Sequence, residues 1–196
     1  QKQVRKRSIN NIIKELIQIK NTLPIMQCIH FDDDAFFLYP LEEIKEFCKK
    51  YKENIALPLI IGGVTPLTLT KEKLSLLVDA GLRSIRMGIE TGSERTKRLY
   101  KRIDSNQQVL KATKIINGFK DKIGVPVYDI ILDNPWETDK DLVKTLMFLT
   151  KIPPPYTLSL CSLTFFPGTE LYEKAKQEGK LTDDLNSIYR KRFHGC

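Results

Sequence analysis

The sequence predicts an α/β domain on a parallel sheet, with its chemistry at the carboxyl ends of the strands. Three observations lead there. Five short apolar strand patterns alternate with helical ones, and regular alternation means parallel strands joined by helical crossovers. A doubly wound open sheet usually announces itself with a Gly-rich first turn, which is missing. Four of the five strands also end in polar or charged residues, as in parallel barrels.

The elements follow in order. Ser8 is an N-cap, with Ile9, Ile12, Ile13, Leu16 and Ile17 at helical spacing behind it. Residues 25–31 form a first strand ending in Asp32, Asp33 and Asp34. A helix over 41–51 places Leu41, Ile44, Phe47 and Cys48 on one face, and 56–61 is a buried strand closed by Gly62 and Gly63. Those glycines lack the later glycine and the Lys-Ser/Thr of a phosphate loop. Thr70 caps a third helix, stopped by Gly81. A strand over 84–89 ends in Glu90; a basic helix runs over 93–101 and a longer one over 106–120. A strand over 125–132 precedes Asp133-Asn134-Pro135. Thr138 caps a helix with Leu142, Leu146 and Leu149 inward, 157–166 is the last strand, and 169–176 a short helix.

With 196 residues, 41% apolar, the chain suits one domain with a real core. No apolar run reaches membrane-spanning length, no signal-peptide pattern follows the basic start, and a cytoplasmic protein is expected. A start without methionine and a basic end read as a piece of a longer protein. The net charge of +8 suits an acidic partner, but Lys and Glu are interleaved almost everywhere, as on a solvated surface. RNA is therefore not expected as a partner. Cys28, Cys48, Cys161 and Cys196 are too scattered for a zinc or thioredoxin-like motif and read as buried, reduced thiols.

Among the strand-end residues, Asp33 and Asp34 have an ordinary alternative role as helix caps. Asp129 does not, because it interrupts an apolar strand well before the next helix. A carboxylate there needs a cation or hydrogen-bond donors, and a ligand-facing role follows. Arg95, Arg98 and Arg102 share one face of the basic helix, and Arg102 falls at its end, where a guanidinium can fork onto a carboxylate.

Four segments resemble the radical S-adenosylmethionine (SAM) superfamily, in the branch that often carries an N-terminal cobalamin-binding domain. They are His30-Phe31-Asp32-Asp33-Asp34-Ala35-Phe36, Gly88-Ile89-Glu90-Thr91-Gly92-Ser93-Glu94, Asp133-Asn134-Pro135-Trp136-Glu137-Thr138 and Phe166-Pro167-Gly168-Thr169-Glu170-Leu171-Tyr172. Anaerobic magnesium-protoporphyrin IX monomethyl ester oxidative cyclases share the pattern. Transfer-RNA methylthiotransferases and oxygen-independent coproporphyrinogen oxidases are more distant relatives.

The resemblance implies a partial TIM-like (β/α)6 barrel. It also implies a [4Fe-4S] cluster on a CxxxCxxC loop, and reductive cleavage of SAM to a 5′-deoxyadenosyl radical. The sequence has no CxxxCxxC. The first family strand and the cluster loop are thus expected upstream of Gln1, residues 1–196 supplying family strands two to six. The chain alone is expected to be inactive. By resemblance, Glu90 faces the SAM ribose, Arg102 its carboxylate, and Asp129 SAM itself. Asp33 and Asp34 approach the methionine amino group, and Leu163 and Phe165 lie by the adenine. One departure is Asp133, where the family usually has glycine.

The expected outer reaction is an anaerobic oxidative cyclisation or a methylation of a small molecule, with cobalamin as a further cofactor left open. The alternatives are an RNA-modifying radical SAM enzyme, or a cluster-free barrel that binds without catalysis. An unpaired edge on the 25–31 strand would favour homo-oligomers.

Overall fold

The computed structural model describes residues 6–32, 36–181, 183, 184 and 188. Five strands form a single sheet: β1 (Ile29–Phe31), β2 (Leu59–Val64), β3 (Leu82–Glu90), β4 (Val127–Leu132) and β5 (Thr157–Ser162). Their spatial order is β1-β2-β3-β4-β5 and every neighbouring pair is parallel. Among the described residues strand order does not reverse, unlike that of a doubly wound sheet.

Among the described residues the α-helices are α1 (Ile9–Thr22), α2 (Leu41–Asn54), α3 (Lys71–Ala80), α4 (Glu94–Leu99), α5 (Asn106–Asn117), α6 (Asp139–Leu149) and α7 (Glu170–Gln177). Their starts are chemically marked. Ser8, Thr70 and Ser93 each accept a hydrogen bond from the backbone N–H three residues on, and Ser105 with Gln108 forms a capping box. α3 stops at Gly81, whose φ of 117° is a left-handed conformation suited to glycine.

Alternation along the strands divides the sheet into two faces. Ile61, Ile85, Met87, Ile89, Tyr128 and Ile130 are buried in the main core with the inner faces of the helices. The intervening residues Arg86, Gly88, Glu90, Asp129, Ser159 and Cys161 are only half-buried and mostly polar. A second cluster, built on Leu163, Phe165, Tyr172 and Ala175, lies beyond the end of β5. With Tyr100, Ile131, Trp136 and Leu171 packed against it, it forms a wall at the carboxyl end of the sheet.

The structure corrects several expectations. The first strand is three residues rather than seven, leaving Cys28 exposed instead of buried and Ile25 87% exposed. The basic helix ends at Leu99, so Arg102 lies in the following loop rather than on a face shared with Arg95 and Arg98. Lys101 has φ 54°, a left-handed reversal that turns the chain back.

In α6, Leu149 faces inward as expected, but Leu142 and Leu146 are 40% and 63% exposed. Asp141 and Thr145 take the inner face because polar partners await them there. Asp141 accepts from Ser93 Oγ at 2.7 Å, and Thr145 Oγ1 accepts from Gly92 N at 3.0 Å. A Cβ on Gly92 would lie 2.6 Å from Phe148 Cβ, so only glycine permits this approach.

Candidate functional site

At the end of β3 the chain turns through Glu90, whose φ of 66° is costly for a residue with a Cβ. The turn folds its side chain back over its own strand. A Cβ on Gly88 would collide with the Glu90 carboxylate and meet Arg102 Nη1 at 3.9 Å, so the glycine leaves the hollow that this carboxylate fills. Burial lifts Glu90 to a pKa of about 7; Arg102 opposes the shift, while Asp129 and Asp104 add to it.

Arg102 reaches the same place from the loop after α4. Its Nη2 donates to Gly88 O at 2.9 Å, and its Nη1 lies 3.7 Å from Glu90 Oε1. Both side chains are largely but not fully buried, at 24% exposed for Arg102 and 20% for Glu90. They open onto a cleft of about 820 Å³ lined also by Tyr100, Ile131, Leu163 and Leu171. The cleft therefore offers a guanidinium and a carboxylate together with apolar side chains, and Arg98, Lys101, Glu170 and Lys174 line it as well. A smaller hollow, about 590 Å³ between α3 and α5, lies on the outer helical layer away from the strand ends.

Three predicted residues thus meet in one cleft: Glu90, Arg102 and Leu163. Asp129 lies one step further down the sheet, paired in register with Gly88. Its carboxylate is gripped by Arg86, whose Nε is 2.9 and 2.8 Å from the two oxygens and whose Nη2 is 2.6 Å from Oδ1. That Nη2 also donates to Ser159 Oγ at 3.1 Å. Asp129 is the first cause of the upward shift of the Arg86 pKa. The cation that Asp129 needs is therefore supplied by the neighbouring strand. Phe165 is buried and packs edge-on against Trp136, with ring centroids 5.7 Å apart. Asp33 and Asp34 lie outside the described residues. The neighbouring Asp32 is described, 3.6 Å from His30 Nε2.

Sequence reasoning missed Arg86, Asp104 and Lys97. Arg86 had a signal: besides Asp129 it is the one charge within the bodies of the predicted strands 84–89 and 125–132. Asp133 takes φ 57°, a left-handed conformation that a glycine adopts without strain. Ser162 Oγ donates to its carboxylate at 2.5 Å.

The sequence matches the radical SAM superfamily over residues 1–149, three-quarters of the chain. The chain belongs to this superfamily. Solved radical SAM structures share the fold. Coproporphyrinogen III oxidase HemN from Escherichia coli aligns with TM-score 0.68 and 16% identity, over 95% of this chain and 45% of HemN. The methyltransferase TsrM from Kitasatospora setae, with cobalamin and a [4Fe-4S] cluster bound, gives 0.67 and 15%, over 88% of this chain and 34% of TsrM. The cobalamin-dependent enzyme OxsB gives 0.61 and 19%, over 90% of this chain and 26% of OxsB. The chain spans less than half the length of each. No curated protein matches it in sequence.

The radical SAM cofactors are SAM and a [4Fe-4S] cluster. The cleft fits the first. Arg102 has donors for a carboxylate, Glu90 has acceptor oxygens for hydroxyls, and Ile131, Leu163 and Leu171 have apolar surface for a base. The described residues do not fit the second. Among them no three His, Cys, Asp or Glu side chains are grouped to hold a metal. Cys28 precedes β1, Cys48 lies on α2 and Cys161 on β5, while Cys196 is outside the described residues. Among the described residues, no helix is long and apolar enough to cross a membrane.

Proposed function

We propose that this chain forms the SAM-binding part of a radical SAM enzyme acting on a small molecule. The outer reaction is an anaerobic oxidative cyclisation, as of a magnesium-porphyrin monomethyl ester, or a related methylation in the cobalamin-associated branch. The observation that carries this reading is the Glu90–Arg102 pair, half-sunk at the carboxyl end of β3 and facing a cleft of suitable size. Fold likeness to TsrM and OxsB, both cobalamin enzymes, supports the branch. The full protein is proposed to work in the cytoplasm.

When bound, SAM supplies the carbon centre from which the family's radical chemistry starts. The chain's own residues bind and orient it. Arg102 holds the carboxylate end, and the ionised form of Glu90 accepts from the ribose hydroxyls. Leu163, with Ile131, keeps water from the base. Asp129, neutralised by Arg86, sets the polarity of the sheet face beneath.

Titration calorimetry with SAM tests this. Arg102→Ala is expected to weaken SAM binding at least about tenfold, the scale of one charge-assisted contact. Unchanged affinity would remove Arg102 from the site, and no binding by the wild-type chain would remove the site itself.

The edge of β1 opposite β2 pairs with no strand among the described residues. That supports self-association of the isolated chain through an exposed edge. Light scattering is expected to give at least twice the 22.6 kDa chain mass; a clean monomer refutes it.

A further inference from the structure

Behind Arg102 lies a buried pair of charges that the cleft itself does not touch. Lys97 on α4 is 1% exposed and Asp104 is 6% exposed. Lys97 Nζ donates to the Asp104 backbone carbonyl at 3.2 Å and to its Oδ2 at 3.3 Å, and lies 6.0 Å from the centroid of the Phe148 ring. The other carboxylate oxygen, Asp104 Oδ1, is 3.1 Å from Arg102 Nε. The Nε–H itself makes no hydrogen bond, so the contact is charge on charge. Asp104 is therefore bridged between two cations, one sealed in the core and one facing the cleft.

A buried ion pair rarely adds net stability compared with an apolar pair of the same volume. It does fix geometry, because neither charge can move without losing its partner in a medium of low dielectric. The geometry fixed here is that of a loop. Residues 100–105 contain no regular structure, and Arg102 hangs on them just after the left-handed Lys101. The Arg102 backbone N–H is tied to Lys97 O at 2.9 Å, so Lys97 holds this loop through both its carbonyl and its ammonium. With Asp104 behind Nε and Gly88 O on Nη2, the guanidinium is held from two sides and retains donors toward the cleft.

We infer that Asp104 is a positioning residue for Arg102, that Lys97 acts by anchoring Asp104, and that the three form a line from the core to the carboxylate end of the SAM site. The inference rests on Arg102 binding the SAM carboxylate. It specifies what makes that arginine ready before ligand arrives: without Asp104, the guanidinium must be ordered at the moment of binding.

The test compares two ligands by titration calorimetry: SAM, and 5′-methylthioadenosine, which keeps the nucleoside but lacks the amino-acid end. Asp104→Asn is expected to weaken SAM about tenfold and to leave methylthioadenosine within twofold. Adding Lys97→Met to Asp104→Asn is expected to weaken SAM no further, because Lys97 works only through Asp104. Asp104→Glu keeps the charge and serves if the asparagine variant does not fold; it is expected to lose SAM affinity several-fold with the same split.

Equal weakening of both ligands would make Asp104 a structural residue only and overturn the inference. So would unchanged SAM affinity in Asp104→Asn when Arg102→Ala has lost it. A further loss in the double variant would give Lys97 a role of its own and overturn its assignment as an anchor. If Arg102→Ala also binds SAM normally, the reading of the site fails first, and this inference falls with it.

Discussion

Replacing Asp141 with alanine is expected to destabilise the fold by about 3 kcal/mol or more, measured as the shift in urea unfolding midpoint. Asp141 is 2% exposed and accepts from Ser93 Oγ at 2.7 Å, Thr138 Oγ1 at 2.7 Å and Thr138 N at 3.0 Å, besides an ion pair with Arg95. Alanine would leave the buried Ser93 hydroxyl without its acceptor, release Thr138 and Arg95, and unlock the turn after β3 from α6. The same contacts, Arg95 first, hold the Asp141 pKa well below its ordinary 3.8. A depressed carboxylate stabilises the fold above its unfolded value and loses that contribution as pH falls through its folded one. The gap between wild type and Asp141→Asn should therefore be full at pH 7 and begin to close only below about pH 4. An alanine variant within 0.5 kcal/mol of wild type, the range of ordinary surface substitutions, would show that the turn is held elsewhere.

Glu90 works in the opposite direction. Its burial raises the pKa from 4.5 to about 7, so the folded chain takes up a proton more readily than the unfolded one. Stability contributed by that proton is present below pH 4.5 and is lost as pH rises through about 7. A shift of this size corresponds to at most about 3 kcal/mol. Glu90→Gln cannot ionise, so its stability relative to wild type should increase between pH 5 and 8 by an amount approaching that limit. A flat difference across that range would mean that the carboxylate is not buried as described. Ligand binding adds a second readout. If ribose hydroxyls bind the ionised form, SAM binding at pH 6.5 releases protons, and its apparent heat varies with the buffer's ionisation enthalpy in wild type and not in Glu90→Gln.

The sheet was legible in the sequence because a strand buried against helices needs a run of large apolar residues, and runs such as those of β2 and β4 admit few other readings. Its limits were not. The apolar pair Ile25 and Met26 extends the pattern of β1 by sequence, but β1 lies at the edge and pairs in register with β2 only over Ile29, His30 and Phe31. Side-chain type says nothing about whether a neighbouring strand is present.

The inner face of α6 was misread for a related reason. Leucines at helical spacing normally mark the core side, but Asp141 and Thr145 are matched by partners about 50 residues earlier, around Thr91 and Ser93. Periodicity within one helix cannot register that. In the candidate site, Glu90 and Arg102 were legible as charged residues at a strand end and in the segment after it, helped by the resemblance. Asp104 was not, because an acid shortly after a helix looks like any loop residue until the fold brings it against Arg102 and Lys97. Arg86 shows a middle case: both members of its ion pair were visible as interruptions in apolar strands, and only the register aligning Gly88 with Asp129 was lacking.

The orientation of α6 also bears on how the protein behaves in solution. Because Asp141 and Thr145 take the inward side of this helix, Leu142, Val143, Leu146 and Met147 face outward, between 40% and 63% exposed, with Lys140 and Lys144 among them. Adhesion of the isolated chain to surfaces, columns or denatured protein would concentrate on this one stripe. It is also the stripe where acidic side chains can be introduced, as in Leu146→Glu, to keep concentrated samples clear without disturbing the Asp141 and Thr145 contacts beneath.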